Sequence, residues 1–163
     1  MHHNPRHHCV AECHQRCFDF ALTEPRPHHR EHCTPRGREE KVDAGADFVI
    51  TQLFFDNADF FEFRDHVAGK LGVKVPIVPG VIAILSAAQI KRFTQLCGSK
   101  IPAKLQAKLD AVANDDEAAM KFGIEYATEQ CAELLRAGVP GLHFYTLNKA
   151  HSTVQVLKNL KLA

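Results

Sequence analysis

Residues 46–55 have the sequence ADFVITQLFF, and this stretch decides the predicted fold. It is almost continuously apolar, which is typical of a strand that is buried on both faces of a parallel sheet. Asp56 and Asn57 follow directly, and their side chains can cap a helix. Phe60 and Val67 then fall on one face of that helix. This part of the sequence therefore predicts one strand followed by one helix.

The same pattern occurs twice more downstream. Residues 75–84 predict a second strand, and Ser86 and Gln89 have the spacing of a capping box at the start of its helix. Residues 141–147 predict a third strand, which leads into a last helix. The expected core positions of these two helices are Ile90, Phe93 and Cys97 in the first and Val154, Leu157 and Leu160 in the last.

Two additional helices are predicted between the second and third strands. Pro102 can open the first of them, because proline is favoured in the first helical turn. Asp115 introduces a longer helix, which Gly138 is expected to end. Core candidates in these two helices are Leu105, Leu109, Val112, Phe122, Tyr126, Cys131 and Leu134 or Leu135. Since strands alternate with helices, the expected fold class is α/β with a parallel sheet.

The composition restricts the possible functions. The chain is 45% hydrophobic and 24% charged, as in a soluble globular protein. Its formal net charge of +1 creates no strong long-range field, which argues against a nucleic acid partner. Neither an apolar run long enough to span a membrane nor a signal peptide is evident, so we expect a cytoplasmic protein with no membrane partner. In that compartment the six cysteines are expected to be reduced.

Residues 1–40 differ in composition from the remainder of the chain. They hold eight of the eleven histidines, four of the six cysteines and none of the eleven lysines, without a sustained apolar period. We therefore predict two parts, a disordered or loosely helical segment over residues 1–40 and a folded part over residues 41–163. Cys9, Cys13 and Cys17 recur every four residues and could bind zinc from one helix face. The alternative is a leader unrelated to the folded part, which the lack of a matching second pair of ligands favours.

Three motifs in the folded part resemble those of one enzyme family. They are ITQLFFD at residues 50–56, PGVIAI at residues 79–84 and LHFYTLN at residues 142–148. In this order they resemble the methylenetetrahydrofolate reductase family, and the resemblance runs from about residue 41 to residue 149. It implies that the three strand and helix units are the last part of a (β/α)8 TIM barrel, so the expected fold is a partial barrel.

The resemblance also implies two substrate-binding glutamines. Gln52 is expected to contact the folate pterin near the nicotinamide, since a carboxamide offers a donor and an acceptor without adding charge. The alternative is a glutamine that ends a strand and binds the backbone. Gln89 is similar to a second folate-contacting glutamine, although its place in the capping box gives it a structural role as well.

Three further positions follow from the resemblance. Phe93 is similar to an aromatic residue near the substrate, while its helical spacing also suits the core. Lys149 stands where the family commonly has an arginine that faces folate, and lysine lacks the planar fork that pairs with a carboxylate. Lys41 is similar to a flavin-contacting lysine, or is an ordinary solvated residue at a helix end. No metal ligand is implied by the resemblance.

The implied activity is FAD-dependent reduction of 5,10-methylenetetrahydrofolate to 5-methyltetrahydrofolate with NAD(P)H, in one-carbon and methionine metabolism. The family's catalytic glutamate and most of its flavin pocket belong to the first part of the barrel, and residues 1–40 match neither. We therefore expect a truncated form that binds FAD weakly or not at all, in a family whose intact members form homo-oligomers. The alternative is an interaction module without enzymatic activity, with zinc bound by the N-terminal segment.

Overall fold

The structure is a computed structural model that describes residues 46–163, except residues 71 and 98. The side chains of residues 91, 93 and 95–97 are not described either. The strands are β1 (Val49–Leu53), β2 (Ile77–Val81) and β3 (His143–Phe144). The α-helices are α1 (Asn57–Asp65), α2 (Ala87–Cys97), α3 (Ala103–Ala111), α4 (Asp116–Arg136) and α5 (His151–Asn159), and a π-helical turn, His66–Lys70, continues α1.

The three strands form one parallel sheet in the order β1-β2-β3. The predicted α/β class and parallel pairing are therefore confirmed. The pairing of β1 with β2 contains an irregularity, because Ile50 faces Val78 while Leu53 faces Gly80. Three steps along β1 thus match two along β2, so β1 carries one extra residue, as at a β-bulge.

Two apolar clusters enclose the sheet. One packs the sheet against α1, α4 and α5, and its most buried members are Phe54, Phe60, Val81, Ala127, Cys131, Leu134 and Val156. The other lies under α2 and α3, beyond the carboxyl ends of the strands, and contains Leu53, Phe55, Ile82, Ile84, Ala87, Ile90, Leu105 and Leu109. The near-continuous apolar sequence of β1 is explained by this arrangement, since it supplies side chains to both clusters.

Helices α1 and α4 begin where the sequence places caps. Asp56 precedes α1, and its Oδ1 accepts a hydrogen bond from the Ala58 amide at 3.0 Å. Asp115 does the same for α4, where its Oδ1 accepts from the Ala118 amide at 2.9 Å. Gly138 follows the end of α4 with a positive φ of 75°, which confirms its predicted role as terminator. These local signals act through hydrogen bonds to neighbouring residues, so they are visible in the sequence.

Two expectations for the C-terminal unit are wrong in detail. The predicted strand over residues 141–147 has only two residues in the ladder, because the chain turns sharply after Tyr145. In α5, the buried residues are Ser152 and Val156, whereas Val154 is 40% exposed. Leu160 of the predicted stripe does pack against the first cluster, and Leu157 is half-buried. The centre of the buried face differs from the predicted one because it is set by how α5 crosses α4, which hydrophobic spacing alone does not fix.

In α4, the small residues make the closest packing. The backbone of α4 at Gly123 lies against the loop after β2. A Cβ placed at residue 123 would be only 2.2 Å from the carbonyl oxygen of Ile84. Of the two alternative core positions Leu134 and Leu135, Leu134 is fully buried and Leu135 is 37% exposed. Within the described part of the chain, no helix is long and apolar enough to cross a bilayer. The predicted boundary near residue 40 and the predicted zinc ligands lie outside the described residues.

Candidate functional site

The carboxyl ends of the three parallel strands meet at one edge of the sheet. Here β1 ends at Leu53, β2 at Val81 and β3 at Phe144. The loops that leave this edge carry the polar residues that the sequence singles out. This is the edge at which open and closed α/β sheets place ligands, because helix starts and strand ends converge there.

The end of β1, residues 51–55 and called the β1 end below, is held by side chains from distant parts of the chain. Four of its carbonyl oxygens accept hydrogen bonds from the side chains listed here: Thr51 O from Tyr145 Oη at 3.0 Å, Leu53 O from Ser99 Oγ at 2.8 Å, Phe54 O from Gln130 Nε2 at 3.0 Å, and Phe55 O from Tyr126 Oη. A buried carbonyl without a partner is costly, so these side chains stabilise the chain where β1 ends and leaves the sheet.

Tyr145 connects all three strands. It follows β3, and its ring passes over Gly80 of β2 to reach the Thr51 carbonyl of β1. A Cβ at residue 80 would lie 2.7 Å from the Tyr145 ring and 2.4 Å from Thr51 O. Only a glycine at position 80 therefore permits this crossing. Thr51 Oγ1 completes the junction by accepting from the Gly80 amide at 2.9 Å.

An open pocket of about 200 Å³ lies beside this junction. Its lining comes from the loop after β2, from the start of α2 and from the chain between β3 and α5: Ile82, Ala83, Leu85, Gln89, Tyr145, Thr146, Leu147, Lys149, Ser152 and Thr153. Two of the predicted substrate-binding residues, Gln89 and Lys149, are therefore brought together. They are 60 positions apart in the numbering and meet only through the fold.

Gln89 has the structural role that its spacing predicts. The Gln89 amide donates to Ser86 Oγ at 3.2 Å, which forms the first half of a capping box. The second half is displaced by one residue, because Gln89 Oε1 accepts from the Leu85 amide at 3.1 Å. The carboxamide is thereby fixed at the pocket wall. A structural role and a binding role are compatible for this residue, since one bond orients the group that faces the pocket.

Gln52 is placed differently. It is buried, with 7% of its surface exposed, and its Oε1 accepts from the following Leu53 amide at 3.0 Å. It is not part of the pocket lining, although the adjacent Thr51 contacts the pocket residue Tyr145. The structure thus contains the backbone bond that the alternative interpretation of Gln52 requires, and the contact with folate stays a prediction.

The other two predicted positions cannot be placed. Phe93 lies within α2, but its side chain is outside the described part of the structure. Lys41 is also outside the described residues. Their roles beside the substrate and the flavin stay predictions. Among the described residues, no group of three or more His, Cys, Asp or Glu side chains could hold a metal ion.

The chain from residue 146 to residue 153, called the α5 start below, contains features that the sequence analysis missed. Leu147 and Asn148 have φ values of 50° and 62°, and the Lys149 amide donates to the Thr146 carbonyl at 2.9 Å. This is a tight turn with two left-handed residues, a conformation that is unfavourable for leucine. Asn148 was the available signal, because asparagine tolerates this region better than most residues.

Ser152 is the second missed residue. It lies in the first turn of α5, is 1% exposed and lines the pocket. Its Oγ has no hydrogen-bond partner among the described residues. Nothing in the hydrophobic pattern distinguishes it from an exposed serine, so its burial could not be predicted.

Burial raises the pKa values of two ionisable groups near the sheet. Burial raises the pKa of the Cys131 thiol to about 12, so this cysteine stays protonated and acts as a small apolar residue. Burial, followed by the charges of Asp56, Glu129 and Glu133, raises the pKa of Tyr126 to about 12. The phenol therefore remains a donor to Phe55 O across the physiological range.

The pocket is an open depression with a polar wall. The wall offers the carboxamide of Gln89, hydroxyl groups and the exposed side chain of Lys149, with no carboxylate in the lining. These groups can donate hydrogen bonds to a polar ligand and accept them from it. No flavin step is assigned to the described residues.

The sequence was compared with known proteins and families. The family described as methylenetetrahydrofolate reductase matches residues 36–161. The chain is 42% identical over 124 residues to "Methylenetetrahydrofolate reductase (NADH) 1" of Arabidopsis thaliana, covering 76% of this chain and 21% of that protein. It is 41% identical over 124 residues to "Probable methylenetetrahydrofolate reductase (NADPH)" of Caenorhabditis elegans, covering 75% and 18%.

A bacterial relative is similar over the same part. The chain is 35% identical over 122 residues to "5,10-methylenetetrahydrofolate reductase" of Escherichia coli, covering 75% of this chain and 41% of that protein. The match thus spans about a fifth of the plant relatives and about two fifths of the bacterial one. Because the family match covers most of the chain, the resemblance seen in its motifs is confirmed. The chain belongs to the methylenetetrahydrofolate reductase family.

Proposed function

We propose that this chain carries part of the folate-binding wall of a methylenetetrahydrofolate reductase, an NAD(P)H-dependent flavin oxidoreductase that forms 5-methyltetrahydrofolate. The observation that carries the proposal is the shared pocket of Gln89 and Lys149 at the carboxyl edge of the sheet. The names of the relatives support the reaction, and the three parallel strands support a partial barrel.

The chemistry assigned to the described residues is binding and orientation. Gln89 presents a carboxamide whose Oε1 is fixed by the Leu85 amide, so the group meets a ligand without first losing rotational freedom. Lys149 offers a positive charge at the exposed side of the pocket. Gln52 is proposed to contact the pterin through its Nε2 group, since its Oε1 accepts from the Leu53 amide.

The flavin belongs to a larger assembly in this proposal. FAD would supply hydride transfer, and the predicted flavin contact Lys41 lies outside the described residues. The resemblance assigns the family's catalytic glutamate to no residue of this sequence. We therefore propose that the chain alone binds FAD weakly or not at all, and that the complete reaction requires further barrel elements. Cytoplasmic location and homo-oligomers stay predictions.

The test is a calorimetric titration of the full chain with 5-methyltetrahydrofolate. Lys149→Met is expected to weaken binding and Lys149→Arg to strengthen it, because arginine supplies two parallel donors to a carboxylate. Lys158→Met removes an exposed charge from the last turn of α5 and serves as the matched control. Equal affinities in all four proteins would overturn the assignment of Lys149.

A separate measurement tests the cofactor proposal. Full chain incubated with FAD and then desalted should lose the flavin absorbance. A yellow preparation with stoichiometric flavin would contradict this expectation, since it would require a flavin pocket within the chain.

A further inference from the structure

Ser152 is a buried polar residue without a structural partner. It is 1% exposed, and its Oγ makes no hydrogen bond within the described part of the chain. Buried hydroxyl groups are nearly always paired, because leaving one unpaired loses its hydrogen bonds to water without replacement. An alanine would fit the same helix position without this loss. The hydroxyl therefore calls for a partner that is not part of the described fold.

The helix around Ser152 begins without a cap. No side chain caps α5 at Ala150, and the Val154 amide makes the first bond of the helix, to Ala150 O at 2.9 Å. The amides of His151, Ser152 and Thr153 precede that bond, and among the described residues none has a recorded acceptor. Unpaired amides at a helix start carry partial positive charge and favour an anion.

The charges around this turn have the same sign. The first turn of α5 contains no acidic residue, and the pocket lining within the described chain contains no carboxylate. Lys149 lies immediately before the start of the helix and also lines the pocket. The amides, the hydroxyl and the ammonium group are all donors, and none of the α5 side chains in the first turn competes as an anion. The combination complements an oxyanion.

We propose that the first turn of α5 is an oxyanion-binding site, in which Ser152 Oγ and the free amides receive a carboxylate or phosphate group at the pocket wall that α5 forms. Ser152 is the residue that tests this site, because binding through the Lys149 charge alone would not depend on the Ser152 hydroxyl. The identity of the ligand rests on the proposed function, because folate ends in carboxylates whereas a nicotinamide dinucleotide carries phosphates. The site itself rests only on the contacts of α5.

The experiment is a titration of the full chain with inorganic phosphate, followed by calorimetry and by the amide resonances of residues 151–153. Ser152→Ala should weaken phosphate binding about tenfold, the effect of losing one hydrogen bond to an anion. The melting temperature of the anion-free protein should be unchanged or higher in Ser152→Ala, because an unpaired buried hydroxyl is removed.

Thr128→Ala is the matched control. Its hydroxyl donates to the Ile124 carbonyl within α4 and accepts from Asn159 Nδ2 at the far end of α5. Neither bond involves the pocket lining, so phosphate affinity should not change. The proposal is overturned if the wild-type chain does not bind phosphate, or if Ser152→Ala binds it as tightly as wild type. A lower melting temperature with unchanged affinity would assign Ser152 to the core instead.

Two further ligands separate the sources of the oxyanion. If p-aminobenzoylglutamate loses affinity in Ser152→Ala and ADP does not, the site takes the carboxylate end of folate. The reverse result assigns it to the dinucleotide phosphate. Phosphate binding that depends on Ser152, in a chain that does not bind 5-methyltetrahydrofolate, would overturn the proposed function and leave the site standing. If the chain binds 5-methyltetrahydrofolate equally well with and without Ser152 and does not bind phosphate, the oxyanion site is overturned and the proposed function stands.

Discussion

The β1 end and the α5 start lie at the same edge of the sheet but are built in opposite ways. At the β1 end, four carbonyl groups accept hydrogen bonds from side chains of the α2 to α3 loop, of α4 and of the residue after β3. At the α5 start, Leu147 is held at a positive φ, the helix has no side-chain cap, and Ser152 Oγ has no partner within the described chain. One region is completed by the fold, and the other retains donors for a ligand.

This difference shows where stability and function are separated in the molecule. Substitutions at the β1 end should remove existing hydrogen bonds or contacts and therefore lower the free energy of unfolding. Substitutions at the α5 start should relieve an unfavourable conformation or an unpaired group, and should alter binding instead.

The largest effect is expected for Gly80→Ala. The new Cβ would lie 2.4 Å from Thr51 O and 2.7 Å from the Tyr145 ring, so β1, β2 and the tyrosine must move apart. We expect a loss of about 3 kcal/mol in the free energy of unfolding, measured by urea denaturation. Gly141→Ala is the control, since a Cβ there meets no described atom within 4 Å. If both variants were equally stable, the crossing at Gly80 would be looser than described.

A smaller loss is expected for Gln130→Met, which keeps the length of the side chain. Gln130 is 6% exposed, and its Nε2 donates to Phe54 O at 3.0 Å, so the variant leaves a buried carbonyl without a donor. We expect the free energy of unfolding to fall by about 1–3 kcal/mol. Gln106→Met breaks an exposed bond to Asp110 on α3 and should change it by less than about 0.5 kcal/mol. Similar losses in the two proteins would contradict the special role of the β1 end.

Tyr126→Phe tests the β1 end through pH. The pKa of Tyr126 is raised from 10.0 to about 12 in the folded protein, so between these values the unfolded chain has released a proton that the folded protein retains. Stability from this group is complete below pH 10 and is lost as the pH rises towards 12. The variant should lose about 1 kcal/mol at neutral pH and show a flatter decline in alkali.

The control for this measurement is Cys131→Ala. Burial also raises the pKa of the Cys131 thiol, from 9.0 to about 12, so this residue adds its own alkaline decline. Removing the thiol should leave the part of the decline that belongs to Tyr126. An unchanged pH profile in Tyr126→Phe would show that its phenol is not retained in the protonated form by the fold.

The smallest change, with the opposite sign, is expected for Leu147→Asn. Leu147 has a φ of 50° and is 42% exposed, so the substitution relieves backbone strain and removes little buried surface. We expect a gain of about 1 kcal/mol in the free energy of unfolding. Lys161→Asn is the control, because Lys161 also has a positive φ, of 58°, but does not line the pocket. We expect a similar gain in stability from it. Only the Leu147 variant should also change folate affinity. If Leu147→Asn is less stable than wild type, the backbone at residue 147 is not strained as proposed.

The parts of the fold that were predicted correctly depend on neighbouring residues. Asp56 and Asp115 bond amides two and three positions away, so their helix starts are visible in the sequence. The length of β3 was not predictable, because Thr146 and Leu147 have strand-forming side chains but leave the sheet at a turn, after the Tyr145 amide has bonded to Val81 O. The geometry of the following turn outweighs the β-strand propensity of these residues.

The candidate site was predicted unevenly for the same reason. Gln89 and Lys149 follow from motifs that resemble the reductase family, and the fold places them in one pocket. Tyr145 and Ser152 were missed, since the first owes its role to Gly80 and the second to the way α5 packs on α4. Both depend on residues far away in the sequence, which no local pattern reports.

The bond between Tyr145 Oη and Thr51 O also constrains the order of folding. Its two residues are 94 positions apart in a chain of 163 residues. Closing so long a loop costs conformational entropy before any contact compensates for it, so pairings of this kind are slow to form. During synthesis, β1 leaves the ribosome long before the tyrosine that completes it. A nascent chain that has not reached residue 145 therefore lacks both this bond and the pocket wall that residues 145–153 supply.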